Sequence, residues 1–379
     1  MTSVLPSSQR WGDLSGKRVL VRVDFNCPVA EVDGRLEVSD DFRIRSCVPL
    51  FEELLALGAT VVACTHFGRP RGRVDPRYGV EPLRRRLDEL RPGVELLENL
   101  RFNPGEEAND PAFGTSLVEG FDYYVNEAFG ASHRAHASIM IPPTLVASAA
   151  GPNLQREVAT LGALLDAPAR PFVAIVGGAK VADKLGIVRV LAQKADTVIV
   201  GGGMAYTFAA AQGRTIGASL FDPSFLDECR SQLEGGRVLI PTDARGLVAG
   251  QAFGTGGGAD PALAFGEDIP DGSVGLDIGP TSIASFVGVI ERAATVLWNG
   301  PMGVFEDERF SAGTEAIARA VASSNAVSVV GGGDSVAALQ SYGLDGAFSF
   351  VSTGGGASLE FVEFGDLPGL RALRESEFH

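Results

Sequence analysis

Lysine is scarce: the 379 residues hold four (Lys17, Lys180, Lys184 and Lys194), so 28 of the 32 basic side chains are arginine. Cysteine is as rare, and Cys27, Cys47, Cys64 and Cys229 show neither CxxC spacing nor a nearby histidine at zinc-ligand spacing. In a chain of this length that pattern argues against a disulfide scaffold or a structural zinc and for buried free thiols. No apolar stretch approaches the roughly 18 residues of a membrane span. The segment MTSVLPSSQRW lacks the charged and apolar regions of a secretory signal, so the expected compartment is the cytoplasm. GxxxxGK[ST] is missing, which excludes a P-loop enzyme, and no GxGxxG follows an apolar run as a dinucleotide fold requires. With 47 acidic residues and a net charge of −15 the surface repels polyanions, and neither nucleic acid nor an anionic membrane is an expected partner.

What is present is unevenly distributed. The first 160 residues carry a net charge of −4 and 17 of the arginines; the remainder carries −11 and 35 of the 48 glycines. A chain of this length accommodates two domains, and the two parts look built for different ligands. Nothing in the sequence demands more than a monomer.

Short apolar runs alternate with amphipathic segments throughout, the pattern of parallel sheets with crossover helices. Strands are expected at Val19–Val23, Thr60–Cys64, Val94–Leu97 and Tyr123–Asn126, and then at Phe172–Val176, Thr197–Val200, Val238–Ile240, Val274–Asp277, Thr295–Trp298, Val327–Val330 and Phe348–Val351. A helix is expected over Arg43–Leu57, capped by Asp40 or Asp41. The fold class is therefore α/β, two doubly wound parallel-sheet domains. The helix over Leu154–Leu165, punctuated by Pro152 before it and Pro168 and Pro171 after it, reads as the connector. The expected division is residues 1–153, a linking helix over 154–168, and residues 169–362, with 363–379 packing back on the first domain. The low-complexity patch Gly254–Ala259 reads as a surface loop.

Ligands of open α/β sheets bind beyond the carboxyl ends of the strands. Several later strands are followed there by glycine: Gly177-Gly178, Gly201 to Gly203, Gly300, Gly331 to Gly333 and Gly354 to Gly356. Missing side chains let backbone and ligand approach, and helix N-termini beginning there present free N–H groups to anions, although tight packing of strand on helix explains many such glycines. GGGDS (Gly331–Ser335) is the best case, and Asp334 can cap the helix that follows it or hold Mg²⁺ against a phosphate chain. Lys180 and Lys184, four residues apart, are placed on one face of a helix after the strand at Phe172–Val176. Flexible ammonium groups suit moving phosphoryl oxygens.

The earlier strands are followed by polar residues of another kind. Asp24 and Asn26 come after the first, His66 and Arg69 after the second, Arg101 after the third, and His133, Arg134 and His136 after the fourth; Arg43 opens a helix. Arginine and histidine converging from separate strand ends make a pocket for a small phosphate or carboxylate. Arg84, Arg85 and Arg86 form a run on an expected helix and read as a solvated face.

In order, RVDFNCP, THFGRP, LENLRF, NEAFGASHRAHAS, GGAKVADK, GLDIGP, WNGPMGVFE, GGGDS and STGGGASLEF resemble the phosphoglycerate kinase family over nearly the whole chain. The resemblance implies a bilobal, hinge-bending kinase of glycolysis with Rossmann-like domains, passing phosphate between 1,3-bisphosphoglycerate and ADP to give 3-phosphoglycerate and ATP, with Mg²⁺. It implies that glycerate is held by Asp24, Phe25, Asn26, Arg43, His66, Phe67, Gly68, Arg69, Arg101 and Arg134. It places nucleotide at Lys180, Lys184, Gly275, Glu306, Gly332, Gly333, Asp334 and Ser335, with the metal at Asp334. Arg43, Lys184 and Lys180 are the catalytic cations it implies. Glu127 stands where Asp is commoner in the family, Phe67 where Leu is, Cys27 where an aliphatic residue is, and Ser335 where Thr is. Asp243–Asp260 matches poorly, leaving the nucleoside contacts there open. Two other readings stand beside this one: a catalytically silent paralogue that binds nucleotide or protein, and a nicotinamide-dependent dehydrogenase, disfavoured by the missing fingerprint.

Overall fold

The computed structural model describes residues 5–251, 262–344 and 346–378, so the Gly254–Ala259 patch and part of the Asp243–Asp260 segment lie outside the described residues. The chain divides into two compact units, residues 1–162 with 364–379, and residues 163–363.

In the first unit the β-branched run RVLVR forms β1 (Arg18–Arg22), buried from Val19 onward on both faces as a central parallel strand must be. A hairpin, β2 (Val29–Val32) and β3 (Arg35–Val38), follows at the surface. Then come β4 (Thr60–Cys64), β5 (Glu95–Leu96), β6 (Tyr123–Asn126) and β7 (Ala147–Ala150). The five parallel strands run in the order β5-β4-β1-β6-β7, with Arg22 in register with Cys64 on one side and Asn126 on the other. The chain moves outward from β1 in one direction and returns to its other side, which puts the topological switch between β1 and β6. The helix Phe42–Ala56 buries Ile44, Cys47, Leu50, Phe51 and Leu54 at helical spacing against Val19, Val21, Val61 and Ala63. Asp41 occupies its N-cap position without bonding the first turn; the carboxylate that does so is Asp40, which accepts the Phe42 N–H (2.9 Å). Asp41 is drawn away by Arg45 and Arg86. The arginine run is not a solvated face: Arg84 donates to Leu96 O, Arg85 to Leu36 O, and Arg86 to Asp41, tying the helix Glu81–Leu90 to β5, β3 and the start of Phe42–Ala56. The tail helix Pro368–Arg374 belongs to this unit; the Gly369 N–H bonds Ser132 O, and Phe378 O accepts the Ser148 N–H.

The second unit repeats the plan. Its strands are β8 (Phe172–Val176), β9 (Thr197–Val200), β10 (Val238–Leu239), β11 (Ala244–Leu247), β12 (Leu263–Phe265), β13 (Val274–Ile278), β14 (Thr295–Asn299), β15 (Val327–Gly331) and β16 (Phe350–Val351). Six are parallel in the order β10-β9-β8-β14-β15-β16, so the switch falls between β8 and β14. The run at Val274–Asp277 does not join them: β13 pairs antiparallel with β11 in a small separate sheet, β12-β11-β13. Its alternating burial, unlike the fully buried β8 and β14, marks a one-sided strand. Trp298 fills the core beside Phe286, Ile317 and Val330 and donates its indole N–H to Gly300 O (2.8 Å). All four cysteines are free and buried.

Candidate active site

At the first switch point a chain of charged and polar groups runs along the carboxyl ends of β1, β4 and β6. Asp24 pairs with Arg43 from the first turn of Phe42–Ala56, and its other oxygen lies 4.0 Å from His66 Nε2. Burial pushes the Asp24 carboxyl upward, but Arg43, His66 and Arg22 outweigh it and hold it at about 2. His66 is driven the other way, to about 3, by burial together with Arg22, Arg101 and His136, against the pull of Asp24. Its ring is therefore neutral, and because Arg22 donates to Nδ1 (3.1 Å), the proton sits on Nε2, facing Asp24.

Arg22 was not among the residues the sequence singled out as ligands. It is fully buried, donating also to Ser138 Oγ (2.9 Å) and Val23 O, with Glu106 Oε1 at 4.0 Å. Glu106, equally buried, accepts the Ser138 N–H (2.9 Å) and hydroxyl (2.6 Å) and lies 3.8 Å from His136 Nδ1. An arginine inside an apolar strand run is the signal that could have found the network, since a buried charge requires a partner. Asn99 was likewise passed over. Its amide accepts the Phe67 and Arg101 N–H groups (3.1 Å each) and donates to Phe67 O (2.7 Å) and Tyr78 O (3.0 Å), fixing the loop after β4.

Around this base the other expected residues gather. Asn26 Oδ1 accepts the Gly68 N–H (2.9 Å), the Phe25 N–H donates to Thr65 Oγ1 (3.0 Å), and Arg101 donates to Gly68 O (2.8 Å). Gly68 has φ +61°, and a Cβ there would lie 2.3 Å from the Tyr78 ring, so the loop closes only with glycine. The Arg101 Nε is 3.2 Å from Glu107 Oε1 but misaligned for a hydrogen bond. Phe25 and Phe67 are buried. Arg69 and Arg134 are exposed, and neither has a carboxylate partner among the described residues; Arg134 Nε meets His133 Nε2 (3.1 Å).

At the second switch point the two lysines do not ride on a helix. The segment after β8 stays irregular until the helix Leu185–Lys194, which leaves Lys180 exposed in the loop and Lys184 at the N-cap position. Lys184 Nζ bridges the switch, donating to Gly177 O (2.7 Å) and Asn299 Oδ1 (2.7 Å). Burial lowers its ammonium to about 8 against the attraction of Asp334 and Asp183, so the group stays largely charged at neutral pH. The helix Gly333–Ser341 begins directly after β15. Its N-cap is Gly332, with φ +95°, where an added Cβ would lie 2.9 Å from Asn299 Nδ2. Asp334 does not cap this helix; it lies exposed in the first turn. Ser335 is fully buried, its hydroxyl accepting the Gly300 N–H (2.7 Å).

Several glycines here serve backbone packing. A Cβ on Gly177 would meet Pro301 O at 2.1 Å, and one on Gly202 would meet Gly178 N at 2.6 Å. Gly275 is buried in β13, where its N–H bonds Ser219 Oγ (2.9 Å) and the Tyr206 hydroxyl fills the space a Cβ would need. Beside it a small hollow is lined by Tyr206, Thr215, Pro241, Gly266 and Ile269, which the sequence did not point to. Glu306 is exposed in the loop after β14. The described residues contain no cluster of three or more metal-ligating side chains.

A family model described as phosphoglycerate kinase matches residues 10–364. The phosphoglycerate kinase of Rubrobacter xylanophilus is 48% identical over 96% of this chain and 97% of its own length, and that of Moorella thermoacetica 46% over 96% and 98%. The solved phosphoglycerate kinase from Coxiella burnetii superposes with a TM-score of 0.85 at 34% identity, covering 98% of this chain and 99% of that one. The enzyme from Pyrococcus horikoshii superposes at 0.82 with 28% identity, over the same shares.

Proposed function

The chain belongs to the phosphoglycerate kinase family, a phosphotransferase of glycolysis exchanging phosphate between 1,3-bisphosphoglycerate and ADP to give 3-phosphoglycerate and ATP; from this premise we propose how its residues divide the work. Each substrate occupies the switch point of one sheet: glycerate at β1 and β6, nucleotide at β8 and β14. The observation that carries the division is the pairing of an arginine-rich strand-end cluster in one unit with the Lys184 bridge and the Gly333–Ser341 helix end in the other.

In the first unit Arg69 and Arg134 take the glycerate phosphate, joined by Arg101, while Asp24 and Asn26 orient the hydroxyl and carboxylate end. His66 contributes as a neutral ring, a hydrogen-bond donor from Nε2. Phosphoryl transfer asks mainly for position and charge stabilisation. Both exchanging oxygens are anionic when free, one a carboxylate and one a nucleotide phosphate, so no general base is needed. A histidine held near 3 is in keeping with that requirement. Arg43, pre-oriented by Asp24, and Lys184 neutralise the charge spread over the transferring group, with Lys180 on the phosphate chain. Because the substrates sit on different units, transfer requires a step that brings them together and shuts out water.

In the second unit the free N–H groups at Gly333 and Asp334 receive phosphate oxygens, and the Tyr206 hollow with Glu306 receives the nucleoside. Ser335 and Gly275 act by shaping these loops. The donor set fits Mg²⁺ arriving with the nucleotide: one exposed carboxylate, Asp334, suits an ion that keeps most of its shell as phosphate oxygens and water. When bound, the metal supplies charge neutralisation between the phosphates. We place the enzyme in the cytoplasm as a monomer. The test is a coupled assay with ATP and 3-phosphoglycerate, with and without Mg²⁺. Turnover that depends on Mg²⁺ supports the assignment; nucleotide binding without turnover would favour a silent paralogue.

A further inference from the structure

Glu127 follows β6 directly, seven residues before Arg134, and is 5% exposed. Among the described residues no cation is paired with it. Its carboxylate instead accepts the N–H of Asn153 (3.1 and 3.2 Å) and lies 3.4 Å from that of Leu154, the opening turn of the helix Pro152–Asp166. Carboxyl oxygens at that position satisfy donors that the helix cannot bond internally, and burial pushes the group up to about 8 against those hydrogen bonds. The space is reserved for it: a Cβ on Gly151 would fall 2.1 Å from Glu127 Oε2.

The same turn is tied in a second direction. The Asn153 side chain donates to Ser46 O (2.8 Å), and the Ser46 hydroxyl bonds Arg43 O (2.9 Å) in the first turn of Phe42–Ala56. One side chain therefore links the loop carrying Arg134 to the helix start, and that start is linked to the segment carrying Arg43. The helix Pro152–Asp166 itself passes from the first unit into the second, the division falling at Gly162 and Ala163.

We propose that Glu127 and Asn153 form a positioning clamp that sets Arg43, and the start of the connecting helix, in the arrangement phosphoryl transfer requires, in register with the loop that binds glycerate. The proposal rests on the role given above to Arg43. Neither clamp residue meets substrate, so both are positioning residues. Glycerate is gripped by the side chains of Asp24, Asn26, Arg69, Arg101 and Arg134, none of which Glu127 or Asn153 bonds directly, whereas Arg43 matters most as charge spreads over the transferring group. Loosening the clamp therefore falls on turnover and spares ground-state binding.

Glu127→Gln preserves size but turns an amide NH₂ toward the Asn153 or Leu154 N–H. Asn153→Ala keeps the backbone N–H groups that meet the Glu127 carboxyl and removes the side-chain link to Ser46 along with the side-chain contact to Glu127. Steady-state kinetics of the whole chain with ATP and 3-phosphoglycerate are expected to show kcat lowered about tenfold in both variants, with both KM values within about twofold of the parent. Glu127→Asp, which retains the carboxyl group, is expected to recover most of the loss. Thermal unfolding of each variant, measured in the same buffer, separates a folding defect from a kinetic one. Should Glu127→Gln fail to fold, Asn153→Ala decides alone. A parental kcat in folded Asn153→Ala, or KM rising with no change in kcat, overturns the clamp. An inactive parent would instead refute the functional reading, and parental turnover in Arg43→Ala the role of that arginine, so the three failures are distinguishable.

Discussion

Arg43 and Lys184 are both cations held ready by neighbours, but they are held differently. Arg43 is locked by a carboxylate, Asp24, itself kept ionised to about pH 2, whereas Lys184 is held by neutral oxygens that a phosphate can displace. Replacing Arg43 by Ala should lower turnover by about 10³-fold or more, the scale of an arginine that meets the transferring group, while the nucleotide KM changes by less than about threefold. Near-normal turnover would remove Arg43 from the chemistry. Lys184→Ala should lower kcat by about 10²-fold, and Arg319→Ala, an exposed helix residue paired with Glu315, should leave it within about twofold. Equal effects of the two substitutions would undo the assignment of Lys184. Such residues were legible because they sit beside a strand end or a helix start, where the local pattern itself announces a ligand position. Arg22, Asn99 and Glu106 were not. Their partners are distant in sequence: Arg22 meets His66 and Ser138 once β1, β4 and β6 are adjacent, and Asn99 meets Phe67 and Tyr78 once β5 pairs with β4.

At the level of elements, strands buried on both faces read clearly as apolar runs, and Thr60–Cys64, Tyr123–Asn126, Phe172–Val176 and Thr197–Val200 end where the pattern ends. The small sheet did not, because ARGL and LAF are short and β13 is covered on one face alone. Three helix starts were the least legible, since the carboxylates that satisfy them come from elsewhere in the chain. Glu127 serves Pro152–Asp166, Asp243 accepts the Thr281 and Ser282 N–H groups (2.8 Å each) of Pro280–Ile290, and Asp277 accepts the Gly313 N–H (2.7 Å) of Ala312–Ser323. No local capping pattern exists for a rule about neighbours to find. Asp277 carries a measurable consequence. Burial raises its carboxyl to about 7, against the Gly313 and Ile278 N–H groups and Arg245; Tyr206 and Tyr342 are titratable groups that also feel it. Between about pH 4, where an unfolded aspartate ionises, and pH 7 the native state keeps a proton the unfolded chain has released. The contribution to stability is thus fully present below about pH 4 and is lost as the pH rises through 7. Asp277→Asn abolishes that titration, so the parent's Tm should fall a few degrees further than the variant's between pH 5 and pH 8. Parallel Tm profiles for the two proteins would show that Asp277 does not titrate in this window.

For the molecule as a whole, a net charge of −15 is awkward for an enzyme with two anionic substrates until its distribution is considered. The first 160 residues concentrate arginine at one sheet's switch point. In the function proposed above, the remainder, at −11, relies on Lys180 and Lys184, helix-end N–H groups and a metal that arrives with its ligand. Over distances beyond about 8 Å the acidic surface is screened at physiological salt, so recognition is decided by groups in contact with each phosphate. Each ligand should then leave a local footprint of its own. Hydrogen exchange with 3-phosphoglycerate alone should slow most at the segments following β1, β4 and β6, around Asp24, His66 and Arg134. With Mg²⁺ and ADP alone, the strongest slowing should fall on Gly177 to Lys184 and Gly332 to Ser335. Nucleotide-free protein whose 177–184 segment is protected most strongly by 3-phosphoglycerate would contradict the division of labour, because no arginine cluster is available at that switch point to hold it. The footprint also tests the source of affinity. Raising salt should weaken 3-phosphoglycerate protection more than nucleotide protection, since exposed guanidiniums of Arg69 and Arg134 are screened more readily than backbone N–H groups and a half-buried ammonium.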